Sequence, residues 1–299
     1  MMNEFHAFTA SDGTEIRYRD VGHGPPVVAL HGFPDTWRTW DRIFSGLVAS
    51  GYRVIVPALR GYQPSGIARS GDYSVPRLAG DLRELLDHEG LQKANVIGHD
   101  WGASTAYAMA ALWPQRVERM ATLAIPPLAV APTGLRERMA RPHNLYLGLG
   151  PVSDWLLRQR NFREIRRLYR LWSPHFNVGQ PHLEHVLEAL RPAERSRAAV
   201  DYYRLGGTGQ QAAEIAVPLS VPTLVLFGSD EPAVRRKSFE GATAVLGEGS
   251  RVLMLDGVGH WPHLEAPERC LSEITSFFDH SAAQVAQHHN RQQICPDHG

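Results

Sequence analysis

Two short runs near the start of the chain, Val27-Val28-Ala29-Leu30 and Val54-Ile55-Val56, are apolar at every position and rich in β-branched residues. A strand with one face in water alternates apolar and polar side chains, so an unbroken apolar strand has to be covered on both faces. Between the two runs, TWRTWDRIFSGLVAS carries its apolar residues at helical spacing. A strand, a crossing helix and a second covered strand form the unit of a parallel α/β sheet, which rules out an all-β or all-helical chain. The alternation continues with EIRYRD ahead of these runs, Val75 to Glu89 as a helix, ANVIGH as a strand, Trp101 to Leu112 as a helix and VERMATLAI as a strand. It resumes with VPTLVLFG, a helix from about Ala233, RVLMLD and a last helix from about Pro267 to Phe278.

Between Pro126-Pro127 and Pro218 the strand pattern disappears. NFREIRRLYRLW instead places Phe162, Ile165, Tyr169 and Trp172 on one helical face. The expected organisation is a core over 1–126, an inserted helical cap over 127–217, the rest of the core over 218–280, and a loose polar tail over 281–299. A chain of 299 residues has room for this without disulfides or structural metal. Its 31 basic and 31 acidic residues cancel, which argues against nucleic acid or an anionic membrane as partner. No apolar stretch approaches the roughly 18 residues needed to span a bilayer. Two cysteines, Cys270 and Cys295, make no disulfide framework, and the first residues show no basic start followed by an apolar run, so a cytoplasmic protein is expected. Lys93 and Lys237 are the only lysines, an arginine bias of GC-rich bacterial coding rather than of function.

The residues that carry chemistry lie at strand ends. ANVIG runs into Gly98-His99-Asp100-Trp101-Gly102 and then a helix, so Asp100 sits on a strand-to-helix turn with glycine two residues to either side. Such a nucleophile elbow crowds its flanking backbone, where larger side chains would collide. A lone Asp here could equally cap the helix. Further along, Ser229-Asp230-Glu231-Pro232 puts acids after one strand, and Gly257-Val258-Gly259-His260-Trp261-Pro262-His263 puts a histidine after another. Nucleophile, acid, histidine is the order used by α/β-hydrolases.

With His31-Gly32-Phe33-Pro34, Asp35-Thr36-Trp37, Arg60-Gly61-Tyr62 with Ser65, GHDWGA and GHWPHLEAPE, the chain resembles the epoxide hydrolase branch of that superfamily over nearly all of its first 280 residues. The resemblance implies an oxyanion hole from the backbone N–H groups of Phe33 and Trp101. It implies an acid at Glu231, with Asp230 beside it as the alternative. It also implies two cap tyrosines that protonate the opened epoxide oxygen. Tyr203, in Asp201-Tyr202-Tyr203-Arg204, matches one; for the other the family position holds Asn144 and Tyr146 lies nearby. A carboxylate is ionised at neutral pH and can attack an sp³ carbon directly, which suits epoxides and carbon–halogen bonds rather than esters.

The expected function is therefore opening of an apolar epoxide to a vicinal diol through an ester on Asp100, cleaved by water that His260 activates. Epoxide and water are the expected partners, with no cofactor and no metal. Haloalkane dehalogenation is the alternative, with Trp101 as a halide donor, although Phe33 stands where the second donor is usual. A noncatalytic binding protein of the same fold is a further one. Trp37 and Trp101 are expected to line the substrate cleft, with Trp40, Trp155 and Trp172 near it unless they pack in the core. Arg158, Arg160, Arg163, Arg166, Arg167 and Arg170 read as a solvated face of the cap, and His31 and His263 as structural members of their motifs. His280, His288, His289 and His298 have no metal-ligand spacing. A homodimer through the cap is compatible with the sequence, which does not show one.

Overall fold

The computed structural model of the protein describes residues 4–131, 142–205 and 210–292. Strands β1 His6–Thr9, β2 Glu15–Val21, β3 Pro26–Leu30, β4 Arg53–Pro57, β5 Ala94–His99, β6 Val117–Leu123, β7 Thr223–Gly228 and β8 Arg251–Leu255 form one sheet. Their order across it is β1-β2-β4-β3-β5-β6-β7-β8, with β1 and β2 antiparallel to their neighbours and all others parallel. The described helices are α1 Asp41–Ala49, α2 Val75–His88, α3 Trp101–Leu112, α4 Pro142–Leu147, α5 Pro151–Trp172, α6 Gln180–Leu190, α7 Ala193–Leu205, α8 Gln210–Ile215, α9 Ala233–Lys237, α10 Pro262–Glu265 and α11 Pro267–Gln292.

The apolar strands are covered on both faces. Val28, Leu30 and Ile55 join a core with Leu78, Leu82 and Leu85 of α2. Val27, Ala29, Val54 and Val56 point the other way, onto Ile43 and Leu47 of α1 and Ile274 and Phe277 of α11. Each such side chain contributes about 2 kcal/mol on leaving water, so the unbroken runs specify a two-sided sheet. Because β3, β5, β7 and β8 are parallel and in register, with Leu30 opposite Gly98 and Gly228 opposite Leu255, the segments that follow them emerge along one edge.

Helices α4 to α8 are inserted between β6 and β7. Phe162, Ile165, Tyr169 and Trp172 are all buried, as their spacing requires, and Arg160, Arg163, Arg167 and Arg170 face solvent. Helix α5 is broken at Gln159–Phe162, where Arg160, Asn161 and Phe162 adopt positive φ. At the C-terminus the expectation of a loose tail from residue 281 gives way to a helix that continues to Gln292. Cys270, Ile274, Phe277 and Phe278 anchor α11 in the second core. Beyond them Ala282, Ala283, Gln284, Ala286 and Gln287 are good helix formers, so an anchored helix propagates readily. Residues 293–299, with Cys295 and His298, and the side chains from His280 onward lie outside the described residues. No helix among the described residues is long and apolar enough to cross a membrane.

Candidate active site

Asp100 sits between β5 and α3 with φ 52° and ψ −117°, left-handed backbone that a side chain rarely adopts. The turn is crowded enough to explain its glycines: a Cβ on Gly98 would stand 2.6 Å from the Gly102 carbonyl carbon, and one on Gly102 2.7 Å from the His31 oxygen. The Asp100 side chain makes no capping hydrogen bond to α3. Instead Oδ1 accepts the Phe33 N–H at 2.9 Å, and Oδ2 lies 3.4 Å from His260 Nε2. Burial pushes the carboxyl up, but His260, His99 and the Phe33 N–H together hold it down at about 2, so Asp100 is ionised at neutral pH.

His260 is fully buried, and Glu231 Oε1 lies 3.6 Å from its Nδ1. Of the two neighbouring acids, Glu231 is the one turned inward. Asp230 instead pairs with exposed His175 at 2.7 Å. The His260 amide is held from the inserted helices, donating to Ser173 Oγ at 2.8 Å and to the Trp172 carbonyl at 3.1 Å. Glu265 steadies both flanks, accepting from Gly259 N at 2.7 Å, Trp261 N at 2.9 Å and Ser173 Oγ at 2.6 Å. Nothing in the sequence pattern marks Ser173 for this role.

A cavity of about 170 Å³ opens beside Asp100, with Trp101, His143, Asn144, Tyr203 and Arg235 in its wall. Tyr203 stands edge-on to Phe33 and Trp101, with ring centroids 5.1 and 5.2 Å away. Burial first, then the Asp100 charge, raise Tyr203 well above the ordinary tyrosine range. Its neighbour Tyr202 turns into the core and donates to the Arg60 carbonyl at 2.7 Å, which fixes the rotation of α7. Among the described residues no group of three or more His, Cys, Asp or Glu is placed to hold a metal ion.

The model of the alpha/beta hydrolase fold matches residues 25–267. The chain belongs to the α/β-hydrolase family. Over 89% of its length it is 29% identical to Epoxide hydrolase A of Mycobacterium tuberculosis, 95% of which is matched. Epoxide hydrolase B of the same organism is 38% identical over 52% of this chain and 46% of that protein. The crystal structure of Epoxide Hydrolase A from Mycobacterium thermoresistibile superposes with a TM-score of 0.77 at 26% identity, covering 92% of this chain and 97% of that one.

Two expectations for this α/β-hydrolase need correction. Tyr146 is not in the cavity wall: its hydroxyl donates to Glu164, and Asn144 and His143 line the space instead. His143, 6.2 Å from Tyr203 between ring centroids, is the polar ring the sequence reading missed. Trp37 is not in the cavity wall either: it packs in the core that holds α1 and α11, edge-on to Phe5 at 5.1 Å and to His185 of the insert at 6.4 Å. Trp40 packs on His263, Trp155 is exposed on the insert, and Trp172 lies 4.9 Å from His260.

A second polar cluster ties the insert to the sheet edge. Asp35, fully buried, accepts from Tyr169 at 3.0 Å, from Thr39 at 3.1 Å and from its own neighbour Thr36 at 2.9 Å, and pairs with His182 at 3.0 Å. Burial works against its ionisation, but His182 prevails and holds the carboxyl below the usual range. Burial likewise pushes His182 down, and Asp35 raises it above the ordinary histidine value.

Proposed function

We propose that the protein hydrolyses small epoxides to vicinal diols, with residues 127–217 acting as the cap of the site. The observation that carries this reading is an ionised, buried carboxylate at an elbow, facing a cavity whose wall presents a tyrosine hydroxyl. An Asp100 oxygen would bond to one oxirane carbon as that carbon's bond to oxygen breaks, and Tyr203 would give its proton to the leaving oxygen. The Asp100 charge that keeps Tyr203 a weak acid is consumed as the ester forms, so the hydroxyl strengthens as a donor when it is needed. His143, across the cavity, is the proposed second donor in place of Tyr146.

In the second half, His260 Nε2 takes a proton from water and the resulting hydroxide adds to the Asp100 carboxyl carbon. The N–H groups of Phe33 and Trp101 receive the oxyanion, Phe33 from the position it already holds. Collapse releases the diol, and the proton on His260 returns through solvent to Tyr203. Glu231 is the acid that orients His260, as the placement of Asp230 on exposed His175 supports. The likeness to two enzymes named epoxide hydrolase supports the same reaction class. Halide release is the weaker reading, since Phe33 offers no side-chain donor and the cavity wall presents Tyr203, which suits an oxygen leaving group. A cavity of about 170 Å³ suits a one-ring or short-chain substrate, given that roughly 150 Å³ admits benzene.

The test is initial-rate diol formation from styrene oxide beside bromide release from a bromoalkane, with Asp100→Ala as blank. Diol that the variant does not form is expected; bromide without diol would transfer the chain to dehalogenation.

A further inference from the structure

Arg235 has no part in the chemistry derived above, yet it stands in the middle of it. It lies on α9, is 8% exposed, and forms part of the cavity wall with Asp100 and Tyr203. Its Nε is 2.8 Å from Glu231 Oε2, its Nη2 is 3.1 Å from His260 Nδ1, and Cζ lies 5.2 Å from the Trp172 ring centroid. Among the described residues its Nη1 is buried without a hydrogen-bond partner. A guanidinium only donates. With Arg235 against Nδ1, that nitrogen must be the bare one and Nε2 must carry the ring proton. An Nε2 that carries a proton cannot take one from water. Ester hydrolysis needs the other tautomer, with Nδ1–H turned to Glu231 Oε1 at 3.6 Å.

An anion in the cavity resolves the conflict. Among the described residues of the wall only Asp100 and Arg235 carry a formal charge, and Asp100 is spent on the reacting carbon. A carboxylate in the cavity, drawn to the guanidinium, would draw Nη2 off Nδ1 and leave that nitrogen to Glu231. We propose that Arg235 is a specificity-determining residue and that the preferred substrates are small epoxides bearing a carboxylate. The guanidinium lies one imidazole ring beyond His260 from Asp100, so the carboxylate is separated from the oxirane by at least one carbon. This rests on the epoxide reading of the site.

The test compares oxiranylacetate with oxiranylacetamide, which match in size and differ in charge, and adds styrene oxide as a neutral reference. Wild-type protein should favour the acid in kcat/KM by about tenfold or more, the scale of one hydrogen bond to a charged group. Part of the preference should lie in kcat, with the covalent ester accumulating on the amide and not on the acid. Arg235→Gln should bring the ratio to about one or below, and Arg235→Lys should keep part of it. Should the Gln variant not fold, inhibition of wild-type styrene oxide turnover by phenylacetate against phenylacetamide decides the matter: a clear preference for the anion supports the assignment and equal inhibition overturns it. Diol from all three substrates with an acid-to-amide ratio near one, unchanged in the variants, overturns the role of Arg235 alone. No diol from any of them overturns the epoxide reading, and this proposal with it.

Discussion

Asp100 and Tyr203 face the same cavity but are held there by different physics. Asp100 stands on strained backbone wedged between glycines, with its carboxylate pinned by the Phe33 N–H. Tyr203 stands on an ordinary helix whose rotation is set by Tyr202 reaching the Arg60 carbonyl and by edge-on contacts with Phe33 and Trp101. The sheet edge thus offers positions defined by close backbone packing, and the insert offers positions defined by side-chain docking. His260 belongs to both: its side chain comes from the loop after β8, and its amide is held by Trp172 and Ser173 of the insert. The comparison teaches that the inserted helices help to hold His260 in place as well as to form part of the cavity wall.

The sharpest division is made by His260→Gln. Turnover should fall by about a thousandfold or more while one round of alkylation survives, leaving an ester on Asp100 visible as added mass. Sustained turnover would place the water-activating group elsewhere. The link between the regions is broken by Asp35→Asn, which leaves His182 facing a neutral amide. A loss of about 3 kcal/mol in denaturant unfolding is expected, as for a buried pair stripped of one partner, with hydrogen exchange rising first in α6. Exchange that rises evenly over the whole chain would mean that Asp35 does not join the insert in particular.

Tyr203→Phe should slow ester formation in a single turnover about a hundredfold and leave ester hydrolysis nearly untouched. Equal slowing of both halves would show that the insert acts on the site as a whole. The smallest effect is in pH. His182 has a raised folded value, so its pairing with Asp35 contributes fully below the ordinary histidine pKa and is lost as pH rises through the raised one. The melting temperature should fall across that window in wild-type protein and stay flat in His182→Gln. Asp35 acts at the other end, its contribution fading only in acid below the usual carboxylate range.

How much of this was legible in the sequence divides along the same line. The two-sided sheet follows from Val27–Leu30 and Val54–Val56, whose pattern admits few alternatives, and the elbow from glycines whose spacing is a steric requirement. Local backbone rules of this kind are written in consecutive residues. The insert is different: its helices could be read from their periodicity, but which side chains reach the cavity depends on how α4 and α7 rotate against the core. That is a long-range packing outcome, so His143, Ser173 and Arg235 were not singled out, and Tyr146 bonds Glu164 rather than lining the cavity. Glu231, where the resemblance put the acid, is the residue turned inward, while Trp37 packs against the second core and His185 rather than in the cavity wall.

The left-handed backbone of Asp100 costs on the order of 1–3 kcal/mol that glycine would not incur. Selection of this chain for heat resistance alone would therefore reward Asp100→Gly, the substitution that removes the proposed nucleophile. Directed evolution of a sturdier form has to screen for turnover at every round, because here greater thermostability and loss of catalysis lie in the same direction.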